Sequence, residues 1–136
     1  MEEMKKTYSD TVIDHALNPR NMGNLLDADG VSQITGPCGD TMQIWLKVKN
    51  GKIIKAAFAT DGCGTTRACG SIVTEIVQNK EIAQALGITR GSILERLGGL
   101  PENDQHCALL AANTLNSAIK NYLELKREPW KKAYKK

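Results

Sequence analysis

Four cysteines, a His-Cys pair and a Cys-Gly-Asp step are the residues of this chain best suited to chemistry. Cys38 lies in Pro37-Cys38-Gly39-Asp40, where small, turn-forming neighbours leave the sulfur accessible. Cys63 sits between Asp61-Gly62 and Gly64-Thr65-Thr66, a stretch that reads as a helix cap, and Cys107 follows His106 near the expected start of another helix. Free N–H groups and the helix dipole at such a start favour a thiolate, the form that binds metal or attacks sulfur. With Asp40 and His106 the candidate set is three thiolates, one carboxylate and one imidazole. Soft sulfur ligands suit zinc, ferrous iron or an iron–sulfur cluster. His106 and Cys107 are about 100° apart on a helix of 3.6 residues per turn, so both would ligate one ion only if the first turn opened. Cys69, six residues beyond Cys63, falls on another helical face and reads as buried filler. Asp61 reads as a residue that holds a turn.

The cysteine spacing excludes two familiar uses. No Cys-x-x-Cys pair appears, which argues against a zinc finger. In a reducing compartment the four thiols are not expected to form structural disulfides.

The elements that must position these residues are legible in the hydrophobic pattern. Thr7-x-x-Asp10 looks like a helix start, with Tyr8, Val12, Ile13, Ala16 and Leu17 at helical spacing and Asn18-Pro19 as the stop. Residues 20–30 form a polar loop and 31–35 a short strand. Over 41–49, Met42, Ile44, Leu46 and Val48 alternate with polar residues or Trp45, the period of a half-buried strand. Asn50-Gly51 is a favoured two-residue hairpin turn, and 52–60 return with Ile54, Ala56 and Phe58 on one face. A two-residue turn at 50 and 51 makes paired positions sum to 101, which extrapolates to Cys38 opposite Cys63 and Asp40 opposite Asp61. Beyond lie a helical stripe (Ala68, Ile72, Val73, Ile76, Val77), a short helix at 81–87, and a helix opened by Ser92-x-x-Glu95 and ended by Gly98-Gly99 and Pro101. The last helix starts near Asp104, with Ala108, Ala111, Leu115, Ala118, Ile119 and Tyr122 on its core face. The expected fold is α+β, a small antiparallel three-stranded sheet with helices packed on one face.

Composition limits the remaining choices. The 136 residues fit one domain, and 41% hydrophobic with 24% charged residues describes a globular chain. No apolar run is longer than about seven residues, so no membrane-spanning helix and no membrane partner are expected. Met1-Glu-Glu-Met-Lys-Lys is not followed by the apolar core of a secretory signal, and a cytoplasmic location is expected. The net charge of +3 is concentrated at the end: residues 126–136 hold six Lys/Arg against one Glu, leaving 12 positive and 14 negative charges elsewhere. Such a basic tail reads as solvated and disordered, and a nucleic-acid partner is not expected.

At these residues the chain resembles the IscU/NifU-N-terminal family of iron–sulfur cluster assembly scaffolds. The resemblance runs through Tyr8-Ser9, Val12-Ile13-Asp14-His15, Asn18-Pro19-Arg20-Asn21-x-Gly23, Pro37-Cys38-Gly39-Asp40, Asp61-Gly62-Cys63-Gly64 and His106-Cys107, in order and over nearly the whole chain. It implies a single IscU/SufE-like domain over 1–136 that is not an enzyme. A 2Fe–2S cluster would be built on it from iron and persulfide sulfur delivered by a cysteine desulfurase, then passed to apoproteins such as ferredoxin. By motif position Cys38, Cys63 and Cys107 are the cluster thiolates and Cys107 the persulfide acceptor. Asp40 is a fourth ligand or a gate, and His106 its rival or a nearby proton donor. A homodimer is left open, and zinc is an expected substitute for iron. A mixed set makes physical sense, because a hard carboxylate or an imidazole in place of one thiolate weakens a corner and permits release.

Two departures from the family pattern stand out. Bacterial members carry Leu-Pro-Pro-Val-Lys before the His-Cys pair, a stretch read by a dedicated chaperone; here the run is Leu100-Pro101-Glu102-Asn103-Asp104-Gln105, which does not favour that partner. Arg67 and Cys69 stand where many relatives have small residues, and Arg67 is placed either toward the site or toward solvent. The main rival is a zinc-bound sulfur-transfer protein of the same fold, whose members usually lack the His-Cys pairing. A structural zinc domain is disfavoured by Asp40, and a thiol enzyme with Cys107 as nucleophile by the lack of an oxyanion-hole motif.

Overall fold

The computed structural model describes residues 8–37 and 39–127; Cys38 and the basic residues 128–136 lie outside the described residues. The first helix, α1 (Asp10–Leu17), begins on Ser9, whose Oγ accepts the Val12 N–H at 3.1 Å. The start is thus set by Ser9 rather than by the expected Thr7-x-x-Asp10 pattern. Val12, Ile13 and Ala16 are buried as expected, but Leu17 is 54% exposed and His15 takes the fourth buried place.

Three strands follow, β1 (Gly30–Thr35), β2 (Thr41–Lys49) and β3 (Lys52–Thr60), antiparallel and in the order β1-β2-β3. Asn50 and Gly51 both have positive φ (54° and 77°), the backbone of the tight hairpin their sequence favours. Lys49 pairs with Lys52 and Val48 with Ile53, as that turn dictates. One residue later the register slips: Lys47 faces Lys55, and the ladder continues to Met42 opposite Thr60. A bulge at Ile54 absorbs the extra residue, while Asp29 Oδ2 accepts the Val48 N–H at 2.8 Å.

The bulge corrects two expectations. Because side chains alternate, one unpaired residue exchanges the faces: Ile53 is fully buried, whereas Ile54, expected in the core, is 43% exposed. Paired positions beyond the bulge sum to 102, so Asp61 meets Thr41 and not Asp40; the expected pairing of Cys38 with Cys63 involves a residue outside the described ones. Thr41 N–H donates to Asp61 Oδ1 at 2.8 Å, and Asp61 N–H returns to the Thr41 carbonyl at 3.3 Å.

The core lies on one face of this sheet, where Met42, Ile44, Leu46, Ile53, Ala56 and Phe58 are buried under helices. Helix α2 (Gly64–Val77) packs along β3, and at Gly70 a Cβ would overlap the ring of Phe58. The polar loop after α1 is ordered against the outer edge of β3. The Asn21 carbonyl accepts the Phe58 N–H at 3.0 Å, and the Phe58 carbonyl accepts the Gly23 N–H at 2.8 Å. Asn21, at φ 63°, also ties this loop to α2 through Thr74 and Gln78. This pairing accounts physically for the Asn-Pro-Arg-Asn-x-Gly run: it covers a strand edge.

Helices α3 (Ile82–Leu86) and α4 (Arg90–Leu97) follow, capped by Glu81 and Thr89. The α4 cap is Thr89, with Ser92 as its partner in the third helical position; the expected Ser92-x-x-Glu95 box lies inside the helix. Gly98, in the left-handed conformation at φ 79°, ends α4 as expected. A 3₁₀ turn (Glu102–Asp104) leads into α5 (Gln105–Arg127). Ala108, Ala111, Leu115, Ala118 and Ile119 are buried, and Tyr122 is half-buried. Helix α5 packs on β1, where Ser32 Oγ donates to the Thr114 carbonyl at 2.6 Å. Lys126 and Arg127 belong to its last turn, where positive charge suits the dipole. The other face of the sheet carries Val31, Trp45 and Ala57 in one row and Gln33, Gln43 and Ala59 in the next.

Candidate functional site

Three segments end at the same corner of the fold: the loop between β1 and β2, the turn from β3 into α2, and the start of α5. Each end is fixed locally. The β1–β2 loop is closed by the Gly36 N–H donating to the Asp40 carbonyl at 2.8 Å, with Gly39 at φ +93°. The turn into α2 is held by the Thr41–Asp61 exchange and by Thr60 Oγ1, which accepts the Gly62 N–H at 3.0 Å. The start of α5 is held by Asp104 N–H donating to the Pro101 carbonyl at 2.8 Å and by Gln105 Nε2 donating to the Leu100 carbonyl at 3.3 Å.

Thr66, in the first turn of α2 and fully buried, stands where the three segments meet. Its hydroxyl donates to Asp40 Oδ2 at 2.9 Å. The same oxygen lies 3.3 Å from Cys107 Sγ and 3.8 Å from Cys63 Sγ. Asp40, Cys63 and Cys107 therefore share one side chain as neighbour. His106 joins them through Cys107, with Nε2 3.6 Å from Sγ. Among the described residues no three His, Cys, Asp or Glu side chains form a ready-made metal cage. Cys38, the remaining expected ligand, is outside those residues.

The two thiols differ in setting. Cys63 is the exposed N-cap of α2, and Cys107, in the first turn of α5, is only 2% exposed. Burial raises the Cys63 pKa, but the Thr66 N–H and hydroxyl and the Thr65 N–H outweigh it, and the thiol titrates below its usual range. These amides act by proximity, since Sγ makes no cap hydrogen bond of ordinary geometry. Cys69 is fully buried, and burial first, then the charges of Cys107 and Cys63, pushes its pKa well up. It packs as the core residue its helical position suggests.

Neighbours that the motifs alone do not single out complete the corner. The Tyr8 hydroxyl donates to Asp104 Oδ2, and that bond, more than the lesser influences of burial and Cys63, raises the Tyr8 pKa. Asp104 thus uses its carboxylate to tie the chain ahead of α1 to the start of α5. Arg67 lies against the end of α1, its Nε donating to the Ala16 carbonyl at 3.4 Å. Thr66 is legible in sequence only as part of a cap; its place three residues after an N-cap cysteine is the signal that it shares a helix face with the thiol.

An antiparallel sheet with helices on one face, and two cysteines and an aspartate gathered at one end, defines a class of small α+β proteins with a thiolate–carboxylate site. The chain belongs to the NifU-like N terminal domain family, whose model matches residues 7–129. Among its relatives, the iron–sulfur cluster assembly scaffold protein IscU 1 of Archaeoglobus fulgidus is 48% identical over 116 residues, 85% of this chain and 76% of the relative. The iron–sulfur cluster assembly scaffold protein IscU of Aquifex aeolicus is 47% identical over 123 residues, 88% of this chain and 78% of the relative. The fold matches a nitrogen-fixing NifU-like protein (N-terminal) from Brucella abortus with a TM-score of 0.70, at 20% identity, covering 89% of this chain and 97% of that one.

Proposed function

We propose that this protein is a scaffold for iron–sulfur cluster assembly. It receives iron, and persulfide sulfur from a cysteine desulfurase; an external electron donor supplies the two electrons that reduce each persulfide sulfur to sulfide, and the 2Fe–2S cluster so formed is held and passed to apoproteins such as ferredoxin. The observation that carries this reading is the convergence of the Asp40 carboxylate and the Cys63 and Cys107 sulfurs on the Thr66 hydroxyl. Relatives close to half identical, themselves named as assembly scaffolds, support it. The role requires no turnover of a substrate by the chain itself, so it is a scaffold and sulfur acceptor rather than an enzyme, working where thiols stay reduced, as in cytoplasm.

In this reading iron and sulfide are cargo. Cys38, Cys63 and Cys107 supply thiolates, and Cys107 takes the persulfide. Asp40 is the weak corner: a hard oxygen among soft sulfurs binds iron less firmly, which suits a site that must release what it holds. In the same reading His106, whose Nε2 is 3.6 Å from Cys107 Sγ, is the rival of Asp40 at that corner or a proton donor to the sulfur. The zinc-bound sulfur-transfer reading is not favoured, since the named relatives are scaffolds.

The test is iron and acid-labile sulfide content, with a visible spectrum, on protein purified without oxygen and reconstituted with ferrous iron, a desulfurase, cysteine and a thiol reductant. Equal iron and sulfide with a brown 2Fe–2S spectrum supports the scaffold. A colourless protein that takes sulfur with zinc bound would overturn it in favour of sulfur transfer.

A further inference from the structure

We propose that Thr66 is a positioning residue for Asp40, keeping the carboxylate within reach of the two sulfurs; this deepens, and rests on, the scaffold reading. The hydroxyl has one proton to give, and the geometry directs it to Asp40 Oδ2 at 2.9 Å. Cys107 Sγ lies 3.3 Å from the same oxygen. A β-branched side chain on a helix has few rotamers, so this aim is built into the backbone. The neighbouring chain leaves space for it: a Cβ at Gly62 would stand 2.7 Å from Thr66 Cβ. The Asp40 backbone is held by the Gly36 N–H, but among the described residues Thr66 is the one hydrogen-bond partner of its carboxylate. Without the Thr66 hydroxyl the carboxylate turns about its own side-chain torsions and no longer competes for the fourth corner. A hydrogen bond to a charged acceptor from a buried donor is among the stronger ones a protein makes.

Two arms test this. In the metal-free protein the carboxyl ¹³C resonance of Asp40 is compared in wild type, Thr66→Val and Thr66→Ser. It should move in the valine variant and return with serine, which restores the hydroxyl. In the reconstituted protein, transfer of the cluster to apo-ferredoxin should slow about three- to tenfold in Thr66→Val, the scale of one lost hydrogen bond of ordinary net strength. Serine should restore the rate, and Thr66→Val should add nothing in an Asp40→Ala background. Wild-type rates in Thr66→Val, or an equal slowing with Asp40 already gone, overturn the proposal. If wild-type protein forms no cluster, the scaffold reading falls, and an unmoved Asp40 resonance in the metal-free arm still overturns the positioning role on its own. Should Thr66→Val fail to fold by circular dichroism, Thr66→Ala carries both measurements.

Discussion

Thr41 and Asp61 lock the end of the β2–β3 ladder to each other: Thr41 N–H donates to the Asp61 side chain at 2.8 Å, and Asp61 N–H to the Thr41 carbonyl at 3.3 Å. One Asp61 carboxylate oxygen is thereby committed to backbone, and the residue is expected to hold the turn and not the cargo. Asp61→Ala should cost about 1 kcal/mol of stability, the scale of one lost hydrogen bond, and leave iron and sulfide content unchanged. Denaturant melts beside metal analysis check both halves; loss of the cluster with full stability would mean that Asp61 touches cargo.

Gly70 should tolerate no side chain. A methyl group there meets the Phe58 ring in the packed layer between α2 and β3. Gly70→Ala is expected to destabilise by about 1–3 kcal/mol, the usual range for an overfilled core, read as a lower midpoint at unchanged denaturant slope.

The thiols should react in a fixed order. Cys63 is exposed and titrates below its usual range, whereas Cys69 is fully buried with its pKa pushed up. Near neutral pH more of Cys63 is therefore thiolate, and iodoacetamide should label it well before Cys69 by peptide mapping. Cys69 should label only under conditions that unfold the chain. Cys69→Ala should accordingly leave cluster assembly intact.

Acid should weaken the contact between α1 and α2. His15 is buried with Nδ1 2.6 Å from Ser71 Oγ. Burial, then Arg20, lowers its pKa; Arg96 adds to this weakly, and Glu75 and Asp14 oppose it. The unfolded chain binds the proton more readily, so this contribution is full above the unfolded value of about 6.5 and is lost as pH falls below it. The stability slope between pH 7 and pH 5 should flatten in His15→Gln, measured by denaturant melts across that range.

The elements were largely legible because each carries a local signal: the period-two run of β2, Asn50-Gly51, and the Gly98 stop all act within a few residues. What local pattern does not carry is Ile54. A two-residue turn fixes the first two pairs, and nothing in Lys52 to Lys55 announces an extra residue; the bulge is settled with the help of Asp29, distant in sequence, taking the Val48 N–H. The helix starts at Ser9 and Thr89 were misplaced by two or three residues because several cap-forming side chains stand side by side and packing chooses among them. At the site, Asp40, Cys63, His106 and Cys107 stand out by residue type and by family pattern. Thr66 does not, since its importance lies in meeting side chains 26 and 41 residues away.

The bulge also gives the hairpin one residue of slack, stored near its tip and far along the ladder from Cys63. Removing Ile54 would spend that slack and nothing else: Lys55 would still face Lys47, and Ala56 and Phe58 would still point inward. Removing Ala57 has no such harmless outcome. If the slack is drawn up, Lys55 turns into the core and Ala56 turns out of it. If the slack is kept, Phe58 takes the outward place of Ala57, and every later residue, Cys63 among them, moves one step along β2. Two single-residue deletions three positions apart on one strand thus have opposite fates: one is absorbed at the surface, the other is passed on either to the core or to the chemistry at the far end.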